Sequence, residues 1–197
     1  MSNRAVFIDR DGVINEILYF ADMGRIDTPF HVDQFKLLPK VGEAVRLINQ
    51  LGFKAVVASN QPGIARNNFG EDTLDKINAR MKSEISRDQG VIDAIYYCRH
   101  HPEGANPKYR VDCDCRKPKP GLLLQAAKDL GIDLKKSYMV GDGINDIQAG
   151  EKAGCKTIMI GRMKFDICRV MEDMKVAPDS VAASLFDAAK QIETGAI

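Results

Sequence analysis

Two hydrophobic rhythms alternate along this chain. Short apolar runs at residues 5–8, 53–58, 91–97, 137–140 and 156–160 are bounded by polar or turn-forming residues, which predicts buried strands. Between them, apolar residues recur every three to four positions. Val41, Ala44, Val45, Ile48 and Leu51 form one stripe, Leu74, Ile77, Met81 and Ile85 a second, and Leu123, Leu124, Ala127 and Leu130 a third. Pro39 opens the first helix and Gly52 stops it, while Pro120-Gly121 opens the third and Gly131 closes it. Further helices are predicted up to about residue 153, near 165–174 and from Ser184 onward, with a weak extended piece around 177–181. Residues 16–39 show no sustained period and read as a long loop with room for a small hairpin; residues 98–119 form an irregular, cysteine-rich insertion.

Strands alternating with helices over the whole length predict an α/β fold, a doubly wound, mostly parallel sheet of about five or six strands. One domain over residues 1–197 suits this pattern. A right-handed crossover then sets the polar turns after residues 8 and 58 side by side at the carboxyl edge of the sheet, where such folds bind ligands.

Composition narrows the partners. The 28 Lys and Arg residues balance 27 Asp and Glu, so nothing draws the chain generally to nucleic acid or to an anionic membrane. No secretory leader or membrane-length apolar stretch is visible, and a cytoplasmic monomer is the expectation. Of the five cysteines, Cys98, Cys113 and Cys115 crowd around His100 whereas Cys155 and Cys168 stand apart. In a reducing compartment that clustering points to metal rather than disulfides.

The first apolar run delivers Asp9-Arg10-Asp11-Gly12 to a loop. Extended alternation would aim Asp9 and Asp11 the same way and Arg10 elsewhere, letting one ligand meet both acids; an ordinary Asp-Gly turn is the plainer alternative. Three more polar sites follow, Ser59/Asn60, Arg116/Lys117 and Asp142/Asp146. Taken singly, the Asp142–Asp146 stretch is an ordinary helix cap and Lys117 an ordinary surface charge. Together, three acids, a lysine and a hydroxyl suit Mg²⁺ handling a phosphate, because Mg²⁺ takes carboxylate, substrate and water oxygens. Cys98-x-His100, twelve intervening residues and Cys113-x-Cys115 make a four-ligand set suited to structural Zn²⁺. His101 is the alternative to His100, and a loop of buried thiols is the alternative to metal.

The order DxDG, Ser-Asn, Lys, GDxxxD resembles the haloacid-dehalogenase-like phosphatases, which form a covalent aspartyl-phosphate. That resemblance implies Asp9 as nucleophile, Asp11 as acid and base, and Ser59 and Lys117 holding the phosphoryl group. It implies Mg²⁺ on Asp9, the backbone carbonyl of Asp11 and Asp142, with Asp146 in support. The zinc spacing, the run Cys115-Arg-Lys-Pro-x-Pro-Gly121 and the run Ser59-Asn-Gln-x-Gly-Ile-Ala-Arg66 look like those of the D-glycero-D-manno-heptose-1,7-bisphosphate 7-phosphatases, and histidinol-phosphate phosphatases share much of this. The subfamily implies no large cap domain, a sugar bisphosphate as substrate, Arg116 as a recognition residue, and Asn60, Gln61 and Arg66 in the pocket. Other phosphatase substrates, including nucleic-acid 3′ ends, and a catalytically silent binding protein are the alternatives. Gly143 stands where the subfamily often has a basic residue, and Ile17-Leu-Tyr-Phe20 is more apolar than expected there. Both departures bear on the substrate rather than on the chemistry.

Overall fold

The computed structural model describes residues 3–161 and 165–197; the side chains of residues 23, 25 and 165–169, including Cys168, lie outside the description. The first half of the chain runs β1 (Ala5–Ile8), β2 (Leu18–Phe20), β3 (Arg25–Asp27), α1 (Val41–Gln50), β4 (Lys54–Asn60), α2 (Glu71–Ser86) and β5 (Ala94–Cys98). The second half runs α3 (Gly121–Leu130), β6 (Tyr138–Gly141), α4 (Ile144–Ala153), β7 (Lys156–Ile160), α5 (Phe165–Met174), β8 (Ser180–Ala182) and α6 (Leu185–Thr194).

Six strands form one parallel sheet in the order β5-β4-β1-β6-β7-β8. The chain builds outward from β1 through β4 to β5, then returns to lay β6, β7 and β8 on the other side. β1 therefore sits at the switch point, where adjacent loops diverge and leave a crevice. All four β1 residues are buried, since helices cover both faces. Val6 and Ile8 pack with apolar residues of α1, α2 and α6, while Ala5 and Phe7 pack with α3.

Several boundaries differ from the sequence expectation for local reasons. Helix α1 starts at Val41, not at Pro39, because Lys40 caps it with a left-handed φ of 61° and the Leu38 N–H is tied to the Ile14 carbonyl at 2.9 Å. Ser59 and Asn60 belong to β4 rather than to a turn after it, since they pair with Tyr97 and Cys98. Strand β5 begins only at Ala94, because the Asn49 amide engages both backbone groups of Val91 and holds them out of the ladder. Residues 16–39 do contain the small hairpin, β2 pairing with β3 through Tyr19 and Ile26.

Candidate active site

β1 ends at Ile8, and the Asp9 N–H is held by the Val140 carbonyl at 2.9 Å. The chain then turns at Gly12, whose φ of +82° disfavours other residues, and a Cβ there would lie 2.2 Å from Asp142 Oδ2. The turn is thus pressed against the carboxylate that follows β6. Lys117 enters from the cysteine-rich loop, 2% exposed, with Nζ 3.0 Å from Asp9 Oδ1, 2.5 Å from Asp146 Oδ1 and donating to the Ala58 carbonyl at 2.8 Å. Burial works against its charge, but Asp146 and Asp9 overcome that and hold its pKa above the usual lysine range. Asn60, expected in the substrate pocket, instead clamps Lys117: its amide donates to the Lys117 carbonyl and accepts from the Lys117 N–H, both at 3.0 Å.

One ligand oxygen from each of Asp9, Asp142 and Asp146 falls within 4.8 Å of the others. Lys117 cannot balance three carboxylates. Burial, then Asp9 and Asp146, push Asp142 up to about 7, and Asp146 lies near 6, raised by burial, lowered by Lys117 and raised by Asp9. An all-oxygen cluster with surplus negative charge fits a hard divalent cation such as Mg²⁺.

The Asp11 carboxylate stands outside that set of ligand atoms. Arg10, expected to point elsewhere, curls back onto it: Nε donates to Asp11 Oδ1 at 3.3 Å, and Nη2 lies 3.1 and 3.2 Å from Oδ1 and Oδ2. Strand alternation fails here because Asp9 to Asp11 lie beyond the end of β1. Asp11 also accepts from Asn15, Thr28 and Gln61. Burial alone would raise its pKa, but Arg10 and these donors hold it below the usual carboxyl value. Gln61, fully buried, also donates to Ser59 Oγ at 3.2 Å, so its amide is occupied by protein. Arg66 and Arg116 lie further out. Arg66 Nη2 is 3.2 Å from His101 Nε2, and Arg116 Nη1 donates to the His100 carbonyl at 3.5 Å.

In the loop after β5, the ligand atoms of Cys98, His100, Cys113 and Cys115 also lie within 4.8 Å of one another. Cys115 Sγ is 3.1 Å from Cys113 Sγ and 3.5 Å from His100 Nδ1. The cluster takes His100, while His101 turns to Arg66. Three free thiols and an imidazole are a soft donor set that fits tetrahedral Zn²⁺.

Residues 114–188 match the HAD-hydrolase-like family model. The D-glycero-β-D-manno-heptose-1,7-bisphosphate 7-phosphatase of Haemophilus ducreyi is 42% identical over 82% of this chain and 85% of its own length. The enzyme of that name from Pasteurella multocida is 40% identical over 96% and 97%. The chain belongs to the haloacid-dehalogenase-like phosphatases. Among solved structures, the D,D-heptose 1,7-bisphosphate phosphatase of B. bronchiseptica, complexed with magnesium and phosphate, aligns with a TM-score of 0.78 at 28% identity over 98% of this chain and 99% of that one.

Sequence reasoning missed Thr28, which lies in an aperiodic segment that carries no signal, and Asn15, which the DxDG pattern does not include. A cavity of about 640 Å³ opens beside the site of this phosphatase, lined by Gly12, Glu16, Ile17, Leu38, Asp142 and Ser184 among others. The unusual apolar stretch therefore contributes Ile17 to a wall next to Asp142. Phe20 stacks on Phe30 with centroids 4.4 Å apart, and Phe30 meets Phe69 at 6.2 Å, which ties the hairpin to the loop after β4. Among the described residues, no helix is long and apolar enough to cross a membrane.

Proposed function

We propose that this phosphatase is a Mg²⁺-dependent phosphomonoesterase that removes the 7-phosphate of D-glycero-D-manno-heptose 1,7-bisphosphate through an aspartyl-phosphate on Asp9. The observation that carries the reading is the convergence of Asp9, Asp142, Asp146 and the Lys117 ammonium at the ends of β1 and β6, with Lys117 Nζ 3.0 Å from Asp9 Oδ1. Asp9, Asp142, Asp146 and the Asp11 carbonyl would hold Mg²⁺. When bound, the cation supplies charge compensation, because a carboxylate approaching a phosphate dianion meets about 4 kcal/mol per pair of unit charges at about 4 Å and an effective dielectric of about 20.

The residues divide the reaction between two displacements. Asp9 attacks phosphorus, the bond to the sugar oxygen breaks, and Asp11 gives that oxygen its proton. Water then attacks the same phosphorus, yields a proton to Asp11 and frees Asp9. Ser59 and Lys117 hold the transferring group, and Arg116 takes the second phosphate or sugar oxygens through its planar fork. Cys98, His100, Cys113 and Cys115 would hold Zn²⁺, which in small peptides contributes on the order of 10 kcal/mol, enough to order a loop lacking a core. That loop carries Arg116 and Lys117 directly after Cys115, so its rigidity aims both cations.

The test is a screen of phosphate release, with and without Mg²⁺, over heptose 1,7-bisphosphate, other sugar phosphates, histidinol phosphate and nucleotides. Heptose bisphosphate with Mg²⁺ is expected to turn over fastest, and Asp9→Asn to abolish release in a folded protein. Faster turnover of histidinol phosphate would overturn the substrate, and an active Asp9→Asn variant would overturn the mechanism.

A further inference from the structure

We propose that Arg10 is a positioning residue for proton transfer, acting by fixing the direction of the hydrogen bonds that Asp11 receives. The inference rests on the acid and base role assigned to Asp11 above. Arg10 is fully buried, and its guanidinium carbon lies 5.5 Å from the Tyr97 ring centroid. Tyr97 is itself tethered, its hydroxyl donating to Asn78 Oδ1 at 2.7 Å. The guanidinium therefore has little freedom to leave.

A guanidinium can only donate. Arg10 Nη2 donates to Thr28 Oγ1 at 2.6 Å and to Gln61 Oε1 at 2.8 Å. Both groups are thereby polarised in one sense. The Thr28 hydroxyl hydrogen is left for Asp11 Oδ1 at 2.9 Å, and the Gln61 amide is turned so that Nε2 donates to Asp11 Oδ2 at 2.7 Å. Asn15 Nδ2 adds a donor at 3.0 Å. Among the described residues, every side chain bonded to Asp11 thus donates to it, and none offers its carboxyl an acceptor.

Such a shell fixes the rotamer of the Asp11 carboxyl, so that its oxygens face the reacting group along one direction. A proton transfer is fast only when donor and acceptor are held in line, so orientation is where the shell acts. In the first displacement the Asp9–phosphorus bond forms, the phosphorus–oxygen bond breaks with its electron pair going to the sugar oxygen, and the proton leaves Asp11. In the second, water's oxygen bonds to phosphorus, the Asp9 ester bond breaks, and the proton returns to Asp11. Losing the shell misdirects the proton that the first displacement delivers to the leaving oxygen. The loss must therefore be larger for a leaving group that needs the proton than for one that departs without it.

The decisive comparison sets the alkyl phosphate turned over fastest in the screen above against p-nitrophenyl phosphate, whose leaving group departs without a proton. Thr28→Val is expected to lower kcat/KM on the alkyl ester about tenfold, and Arg10→Met about a hundredfold, with both within about threefold of the parent on the aryl ester, since kcat/KM reports the displacement of the leaving group and not the shared hydrolysis that follows. Thr28→Ser should restore the parent ratio, and Arg10→Lys should fall between. Equal losses on the two esters would overturn the inference, since a general loss of structure does not distinguish leaving groups. If Arg10→Met does not fold, the Thr28→Val and Thr28→Ser pair decides. Asp11→Asn separates the two levels of argument. If it shows no ester dependence in kcat/KM, the acid role of Asp11 itself is wrong; if it does and the Arg10 and Thr28 variants do not, only the present inference fails.

Discussion

The carboxylate cluster makes magnesium affinity a function of pH. In the cation-free protein Asp142 is pushed up to about 7 by burial and by Asp9 and Asp146. Below that pH the cation must displace a proton, so its dissociation constant should rise about tenfold for each pH unit below about 7, and more steeply where Asp146 also holds a proton. Stability follows with a definite sign. A carboxyl whose folded pKa is raised binds its proton more tightly when folded, so its contribution is present below the unfolded value of 3.8 and is lost as pH rises to about 7. The roughly 3 pH units between these values set an upper limit of about 4 kcal/mol, which solvent at the half-buried carboxylate reduces. A bound divalent cation removes this penalty, so the rise in Tm on adding Mg²⁺ should grow from pH 5 to pH 8, with a ceiling near about 8–16 °C at about 2–4 °C per kcal/mol. Calorimetric titration and thermal melts of protein dialysed free of magnesium measure both quantities. A dissociation constant flat between pH 5.5 and 8, or a Tm increment that shrinks as pH rises, would refute the reasoning.

Other perturbations have equally defined outcomes. Lys117→Met leaves Asp9 and Asp146 facing each other without their shared cation, and should abolish turnover and cost about 3–5 kcal/mol in denaturant unfolding without magnesium. Asn60→Ala strands the Lys117 N–H and carbonyl, so a loss of about 1–3 kcal/mol is expected, together with a fall in kcat in steady-state assays. Gly12→Ala places a methyl 2.2 Å from Asp142 Oδ2 at a φ of +82°, and should weaken magnesium binding by calorimetry while the fold persists by circular dichroism. Cys113→Ser should lower zinc content by metal analysis and lower Tm; unchanged values for both would remove the zinc assignment.

How much of this was legible in the sequence depended on range. Runs such as 5–8 and 156–160 are buried on both faces of a parallel sheet, so hydrophobicity alone marks them, and both strands begin and end where expected. The cysteine set was readable because each half is a pair two residues apart, and the structure brings the halves together around His100. Asp9, Ser59, Lys117 and Asp142 stood out only as an ordered set, since each taken singly reads as an ordinary turn, cap or surface charge. What escaped was relational. Asn60 looked like a pocket residue because nothing local reveals that its partner is a backbone 57 positions away. Arg10 was misjudged because strand alternation was carried past the end of β1. Thr28 follows a hairpin of no clear period, and only the folded chain shows its hydroxyl between Arg10 and Asp11.

The placement of β1 between β4 and β6 makes activity an unusually strict reporter of folding. Asp9, Ser59 and Asp142 come from three neighbouring parallel strands, and Lys117 from a loop beyond a fourth, so no one segment carries the attacking acid, its lysine and the Asp142–Asp146 carboxylates together. A partly assembled sheet lacks either the attacking acid's cation or its metal ligands. During refolding, enzymatic activity should therefore return only with the slowest of β1, β4, β5 and β6 to dock, after helical signal has recovered, which makes a turnover assay a direct clock for assembly of that part of the sheet.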